Sequence, residues 1–211
     1  MPGPAPYPVV LDLRGARVLV LGAGRVALQK LKGLPKGLAS VQVFSPQARP
    51  ATRAWVRRRP EAAWLKRPLR AADLKGCRLL FCCSDDPRAN ARAAALARAR
   101  GVWVCQAAEP GQGDLRVPSA FKAAGLSLTL STGGASPALA KALRLRLQKQ
   151  LNASDLAWLL AQLGRRRPAL KADPKAKAAL LKRLLHGRGL DLALAPRRAD
   201  RRRALMALLR S

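Results

Sequence analysis

The sequence predicts an α/β fold built on a parallel, doubly wound, Rossmann-like sheet. Three observations carry that reading. Short apolar runs recur along the first half of the chain, each bounded by Gly, Pro or Asp. Segments with helical spacing separate them, which is the alternation of a sheet with helices on both faces. A glycine-rich turn, Gly22-Ala23-Gly24-Arg25-Val26-Ala27, joins the first run to the first helix. Connections between parallel strands are almost always right-handed, which narrows the topology to a Rossmann-like order.

Taken in order, Arg17-Val18-Leu19-Val20-Leu21 lies between Gly15 and Gly22 and reads as a buried parallel strand. Val26 to Leu34 shows helical spacing through Leu28, Leu31 and Leu34, and Pro35 and Gly37 end that helix early. Ser40 to Phe44 is a second strand, stopped by Pro46. The Arg-rich stretch 50–60, with Trp55, fits a helix on the outer face of the sheet. Ala63-Trp64-Leu65 is a candidate short strand, and Arg78 to Cys83 a buried one. Asp85-Asp86-Pro87 starts an Ala-rich helix that runs to about Arg100 and ends at Gly101. Val102 to Cys105 is the next strand. Beyond a loop at Gly111–Gly113, Leu115–Phe121 and Leu126–Leu130 read as a strand pair with a turn at Ala124-Gly125. Ala138 to Leu151 is a helix with Leu139, Leu143 and Leu147 on one face. From Ser154, helix-like runs alternate with Pro, Gly and Arg breaks.

Composition bounds the function classes. The 211 residues carry 41 Lys and Arg against 11 Asp and Glu, a net charge of +30. Such a chain attracts polyanions: nucleic acid, an anionic membrane or a polycarboxylate. The charge is spread out, with 26 basic and 7 acidic residues in 1–150 and 15 and 4 in 151–211. A composition-biased solvated surface explains it as well as a dedicated arm does. The Arg165–Arg167 and Arg201–Arg203 runs leave nucleic-acid binding open, although aromatics at 4% offer little for base stacking. Cys77, Cys82, Cys83 and Cys105 form no CxxC pair, and His186 is the single histidine. They read as buried thiols of a reducing cytosol, not as a disulfide frame or a zinc site. No segment has the roughly 18 apolar residues of a membrane span. Met1 to Pro8 lacks the basic start and apolar run of a signal peptide, so the expectation is a cytoplasmic protein with no membrane partner.

Three motifs carry candidate chemistry. In Gly22-x-Gly24-x-x-Ala27, Gly22 permits the tight turn and Gly24 lets a pyrophosphate approach the backbone. Ala27 lets the helix pack closely on the sheet. Backbone amides and the helix dipole would then hold the phosphates. No Asp or Glu lies between Arg25 and Pro60. Ser45, Pro46 and Gln47 therefore occupy the place of the usual ribose-binding carboxylate. Arg49 close by is either a 2′-phosphate ligand or one more surface arginine. Ser84-Asp85-Asp86-Pro87 follows the 78–83 strand, where such sheets bind ligands, but capping of the next helix explains it equally. Ser131-Thr132-Gly133-Gly134-Ala135-Ser136-Pro137 suits an anion at a helix start, or a flexible connection capped by Ser136.

The order of these pieces, with Leu11-Asp12-Leu13-Arg14-Gly15 before the first strand and Asn90 after the second motif, resembles one family. That family is the precorrin-2 dehydrogenase / sirohydrochlorin ferrochelatase family, the N-terminal module of siroheme synthases. The resemblance covers residue 7 to about 151. It implies an NAD-binding Rossmann domain at 1–112, a dimerisation region at 113–151, a basic helical domain at 152–211 and a homodimer. It also implies NAD-dependent oxidation of precorrin-2 to sirohydrochlorin, with iron insertion in some members. Cofactor contacts would fall on Gly22, Ala23, Gly24, Arg25, Val26, Ser45, Pro46, Gln47, Ser84 and Asp85. Substrate contacts would fall on Ser131, Thr132, Gly133 and Gly134. Precorrin-2 carries eight carboxylates, which a basic protein suits.

One departure matters. Members of that family usually carry Asn-Val-Val-Asp or similar, and that Asp is the general base. Here the segment reads Cys105-Gln106-Ala107-Ala108-Glu109-Pro110, with Ala108 at the aspartate's position. A methyl group cannot take a proton. Glu109, one of only two glutamates, is the substitute candidate, and Asp114 a weaker one. The alternative is a non-catalytic relative that binds a nucleotide, a tetrapyrrole or a partner protein.

Overall fold

The computed structural model describes residues 7–210, other than 124, 153, 187, 188 and 197. By contacts the chain forms two compact units, residues 7–117 and residues 118–211. Of the sequence expectations, the turn at Ala124 and the side chain of His186 lie outside the described residues.

Unit 7–117 is the predicted parallel sheet. Its strands are β1 (Arg17–Leu21), β2 (Ser40–Phe44), β3 (Ala62–Leu65), β4 (Cys77–Cys82) and β5 (Trp103–Gln106). They lie in the order β3-β2-β1-β4-β5, every pair parallel. Helices α1 (Arg25–Gly33), α2 (Pro50–Arg57) and α3 (Pro87–Arg98) connect them. The two central strands are apolar from Val18 to Leu21 and from Leu79 to Cys82 because both faces of the sheet are covered there. Alternation then sorts the side chains. Val18, Val20, Val41, Val43, Leu79 and Phe81 pack with Ala27 and Leu31 of α1. Leu19, Phe44, Leu80 and Val104 pack with Ala93, Ala94 and Ala97 of α3. Small alanines let α3 come close to the sheet.

α1 ends where the sequence says it must. Leu34, the residue before Pro35, is extended at φ −68° and ψ 138°. Of the two aspartates that could cap α3, Asp86 does. Asp86 accepts hydrogen bonds from the backbone N–H of Arg88 (2.9 Å) and Ala89 (3.1 Å), and Pro87 holds the first helical position.

Unit 118–211 begins with an antiparallel pair, β6 (Ser119–Ala123) and β7 (Leu126–Leu130). Helix α4 (Pro137–Asn152) packs on it through buried Ala140. Helices α5 (Leu156–Ala172), α6 (Pro174–His186), α7 (Gly189–Leu194) and α8 (Ala199–Arg210) share a core of Leu156, Leu159, Leu180, Leu184, Leu205 and Leu209. Buried Asp155 at the start of α5 meets Arg202 of α8 at 2.5 Å, and that guanidinium also lies over Trp158. Among the described residues no helix is long and apolar enough to cross a membrane.

The strand expected over Leu115–Phe121 starts only at Ser119. Pro118 has no N–H to give to a ladder. The residues before it are spent elsewhere: the N–H groups of Asp114 and Leu115 both donate to the carbonyl of Val104 on β5.

Candidate functional site

The carboxyl ends of β1 and β4 lie side by side, and the chain leaves them in opposite directions across the sheet. This is the switch point at which open α/β sheets bind ligands. Gly22 closes β1 there with φ 96°, a region that L side chains rarely enter. A Cβ on Gly22 would lie 2.5 Å from the carbonyl oxygen of Cys83 and 2.8 Å from the nitrogen of Ser84. The loop can therefore pass the end of β4 only as glycine. Gly24 differs. Its φ is −80°, and a Cβ there would meet nothing within 4 Å. The protein's own packing does not require glycine at 24, and the free space is the kind of cradle a pyrophosphate needs.

Gly24 also caps α1 with no side-chain hydrogen bond, and no acidic residue occupies the first turn. The first amides of α1 are thus available to an anion. Buried Ala23 anchors the loop. Its carbonyl accepts from the hydroxyl of Thr52 at 2.9 Å and from the N–H of Arg49 at 3.3 Å. Thr52 is fully buried, and the sequence reading missed it. Its signal was a lone small hydroxyl at a sheet-facing position of an Arg-rich helix.

After β2, the Ser45 hydroxyl donates to the Gln47 carbonyl at 2.6 Å, and the Ser45 carbonyl accepts from the Trp64 indole at 2.9 Å. Pro46, Gln47 and Arg49 are exposed. After β4, the buried Asn90 amide grips Ser84, accepting from its N–H at 3.1 Å and donating to its carbonyl at 2.8 Å. The Ser84 hydroxyl accepts from the Asp86 N–H. Asp86 is thus the cap, whereas Asp85 is exposed and makes no hydrogen bond or ion pair among the described residues.

The two candidate bases stand in different settings. Ala108 and Glu109 follow β5 at the carboxyl edge, both exposed. The Glu109 carboxylate accepts from the Gln112 side chain, and its carbonyl accepts from the Gln112 N–H. Asp114 turns back along β5. It accepts from Arg98 at 3.0 Å and from the Val104 N–H at 2.9 Å, so it covers the outer edge of an edge strand.

Cys82, Cys83 and Cys105 are buried beneath this edge, and burial pushes the first two thiols up to about 12. Among the described residues no group of three His, Cys, Asp or Glu could hold a metal ion.

The Ser131–Pro137 loop belongs to unit 118–211. Gly133 and Gly134 have φ 66° and 101°, and Cβ atoms there would meet nothing. The Ser131 hydroxyl accepts from the Gly133 N–H, and the Thr132 hydroxyl from the Ser136 N–H. Ser136 in turn accepts from the Leu139 N–H in the first turn of α4.

Comparison with known proteins fits these features. The chain is 29% identical over 204 residues to a siroheme synthase of Pseudomonas entomophila, covering 96% of this chain and 44% of that protein. It is 32% identical over 206 residues to a siroheme synthase of Methylococcus capsulatus, covering 94% and 42%. The chain thus spans less than half the length of these relatives. A solved structure described as SirC, precorrin-2 dehydrogenase, superposes with a TM-score of 0.73 at 22% identity, covering 97% of this chain and all of that one. These matches bear out the resemblance read from the motif order. The family NAD_binding_7, described as "Putative NAD(P)-binding", matches residues 9–119, more than half of the chain, and the chain belongs to that family.

Proposed function

We propose that this protein oxidises precorrin-2 to sirohydrochlorin with a nicotinamide dinucleotide as acceptor; the resemblance implies NAD. One observation carries the proposal. A dinucleotide-type loop, closed at Gly22 and open at Gly24, stands at the switch point of a chain that aligns with siroheme synthases over nearly its whole length. The dehydrogenation removes a hydride and a proton. A bound nicotinamide supplies the hydride acceptor. The chain's own residues would do the rest. Gly22 to Val26 would hold the pyrophosphate, Ser45 to Gln47 the ribose, and Ser84 and Asp85 the crevice wall. Ser131 to Gly134 would meet substrate carboxylates.

The proton needs a base, and Ala108 offers none. Glu109 is the candidate at the right edge of the sheet, released from Gln112. Asp114 is already committed to Arg98 and β5. The test is absorbance of the full chain mixed with precorrin-2 and NAD+. Sirohydrochlorin formation above a no-enzyme control, slowed strongly by Glu109→Ala, is the expected result. No change over the control overturns the proposal. Ala108 favours a second reading, a relative that binds tetrapyrrole without turnover. Tight sirohydrochlorin binding without oxidation, with turnover appearing in Ala108→Asp, would establish it.

We also propose a homodimer through α4. Leu139, Leu143 and Leu147, on one face of α4, are 52%, 43% and 37% exposed, more apolar surface than a lone helix face usually leaves to water. Light scattering after size exclusion should give twice the 22.7 kDa chain mass.

A further inference from the structure

We propose that Thr52 is a positioning residue of the nucleotide site: its buried hydroxyl holds the Ala23–Gly24 peptide so that the Gly24 N–H is presented to a bound phosphate. The inference rests on the reading of Gly22–Val26 as a dinucleotide loop and deepens it.

The loop's other polar groups are already engaged. The Gly22 N–H donates to the Phe44 carbonyl at 2.8 Å, and the Gly24 carbonyl accepts from the Leu28 N–H at 3.1 Å. The Ala23 carbonyl accepts from the Thr52 hydroxyl at 2.9 Å and from the Arg49 N–H at 3.3 Å. The Gly24 N–H donates to no group among the described residues. In a trans peptide the carbonyl and the N–H point in opposite directions across one plane. Holding the Ala23 oxygen against α2 therefore turns the Gly24 N–H away from α2, where it is left for an anion.

The peptide needs holding because residue 24 is glycine. Turning it over would carry Gly24 from φ −80° into the positive-φ region, which glycine enters freely and other residues do not. No neighbouring atom stands in the way, since even a Cβ on Gly24 would meet nothing within 4 Å. Thr52 is built to prevent the turn. It is the third residue of α2 and is 1% exposed, so no water competes for its hydroxyl. A threonine in a helix has few side-chain rotamers, and its hydroxyl ordinarily bonds a carbonyl one turn back. This one reaches instead to a residue 29 positions earlier in the chain. It is also the shorter of the two bonds to Ala23, since 3.3 Å lies at the long end of the hydrogen-bond range.

The test is calorimetric titration of the full chain with NAD+. Thr52→Val keeps the branched shape, Thr52→Ala does not, and both remove the donor. Each should weaken NAD+ binding about tenfold, the worth of one charge-assisted hydrogen bond. Thr52→Ser keeps the hydroxyl and should bind within about twofold of the parent. Thermal melts of Thr52→Val and Thr52→Ser should fall within a few degrees of the parent. The double variant Thr52→Val with Gly24→Ala separates positioning from general loosening. Alanine at 24 opposes the turned peptide by itself, so Thr52→Val should cost no further affinity in that background, whereas independent losses would multiply. Parent-like NAD+ affinity in Thr52→Val and Thr52→Ala, an equal loss in Thr52→Ser, or multiplying losses in the double variant would overturn the inference and leave the nucleotide site standing. A parent chain that binds no NAD+ would overturn both.

Discussion

Gly22 and Gly24 belong to one short motif, yet the structure assigns them different tasks, and single alanine substitutions separate the two. At Gly24 the backbone already has φ −80°, and a methyl group meets no atom within 4 Å. Alanine at a helix N-cap costs about 0.5–1 kcal/mol relative to glycine-like caps. The reduced freedom of the unfolded chain offsets about 0.4–1 kcal/mol of that. Gly24→Ala should therefore melt within a few degrees of the parent. Its methyl would hold a phosphate oxygen roughly 3.5 Å from carbon, where amide hydrogen bonds need about 2.7–3.2 Å between heavy atoms. Losing one or two charge-assisted bonds should weaken NAD+ binding on the order of tenfold to a hundredfold. Gly22→Ala should do the reverse damage first. The left-handed backbone costs about 1–2 kcal/mol, and forcing a Cβ against the Cys83 backbone adds about 1–3 kcal/mol. A melting temperature lower by on the order of 10 °C follows. Circular dichroism melts and calorimetric titration with NAD+ read both effects. Unchanged NAD+ affinity in Gly24→Ala would refute the open-cradle argument, and a parent-like melt of Gly22→Ala would refute the close-approach argument.

Arg202→Met leaves buried Asp155 without the cation at 2.5 Å. Urea unfolding should show a loss of about 1–3 kcal/mol, below the full value for a buried pair because Arg202 is half exposed. Cys82 and Cys83, pushed up to about 12, should resist iodoacetamide at pH 8 in the native protein and react in denaturant; native labelling found by peptide mapping would contradict their burial. Asp73 is held below its ordinary value by Arg67, and Glu61 by a backbone hydrogen bond and Arg59. A depressed folded value means that the stabilisation is complete above the unfolded value near 4 and is lost as pH falls through the folded one. Melting temperature should therefore drop steeply below about pH 4, and Asp73→Asn should flatten part of that drop.

The legible parts of the fold were those fixed by local pattern. β1 and β2 match the sequence reading residue for residue, at Arg17–Leu21 and Ser40–Phe44. A strand covered on both faces is mostly apolar, with only Arg17 polar in β1 and Ser40 and Gln42 in β2, and a turn residue lies near each end. The less legible parts depend on distant partners. Leu115–Val117 looks strand-like, but its backbone serves β5, and nothing near it in sequence says so. Asp85 and Asp86 are equivalent in the sequence, and only the bonds from the Arg88 and Ala89 N–H groups make Asp86 the cap. Asp114 looked like a spare carboxylate and is a cover for the β5 edge. Thr52 became visible only when its hydroxyl met the carbonyl of Ala23.

The same distinction bears on the site. A glycine motif mixes two demands, one from the fold and one from a ligand. The fold's demand shows up as a clash, and it falls on Gly22. The ligand's demand shows up as space the protein leaves unused, and it falls on Gly24. Ala108 cannot be sorted in this way, because alanine at an exposed strand end neither clashes nor makes room. What it does is leave no proton acceptor at that position, on an edge where Arg25, Arg49 and Arg53 are exposed cations and Glu109, Asp85 and the α3 cap Asp86 are exposed carboxylates. An edge with exposed cations and no base at that position favours binding an anionic cofactor and a polycarboxylate substrate over proton removal. Binding is thus the better supported half of the proposed chemistry, and Ala108→Asp is the substitution that addresses the other half.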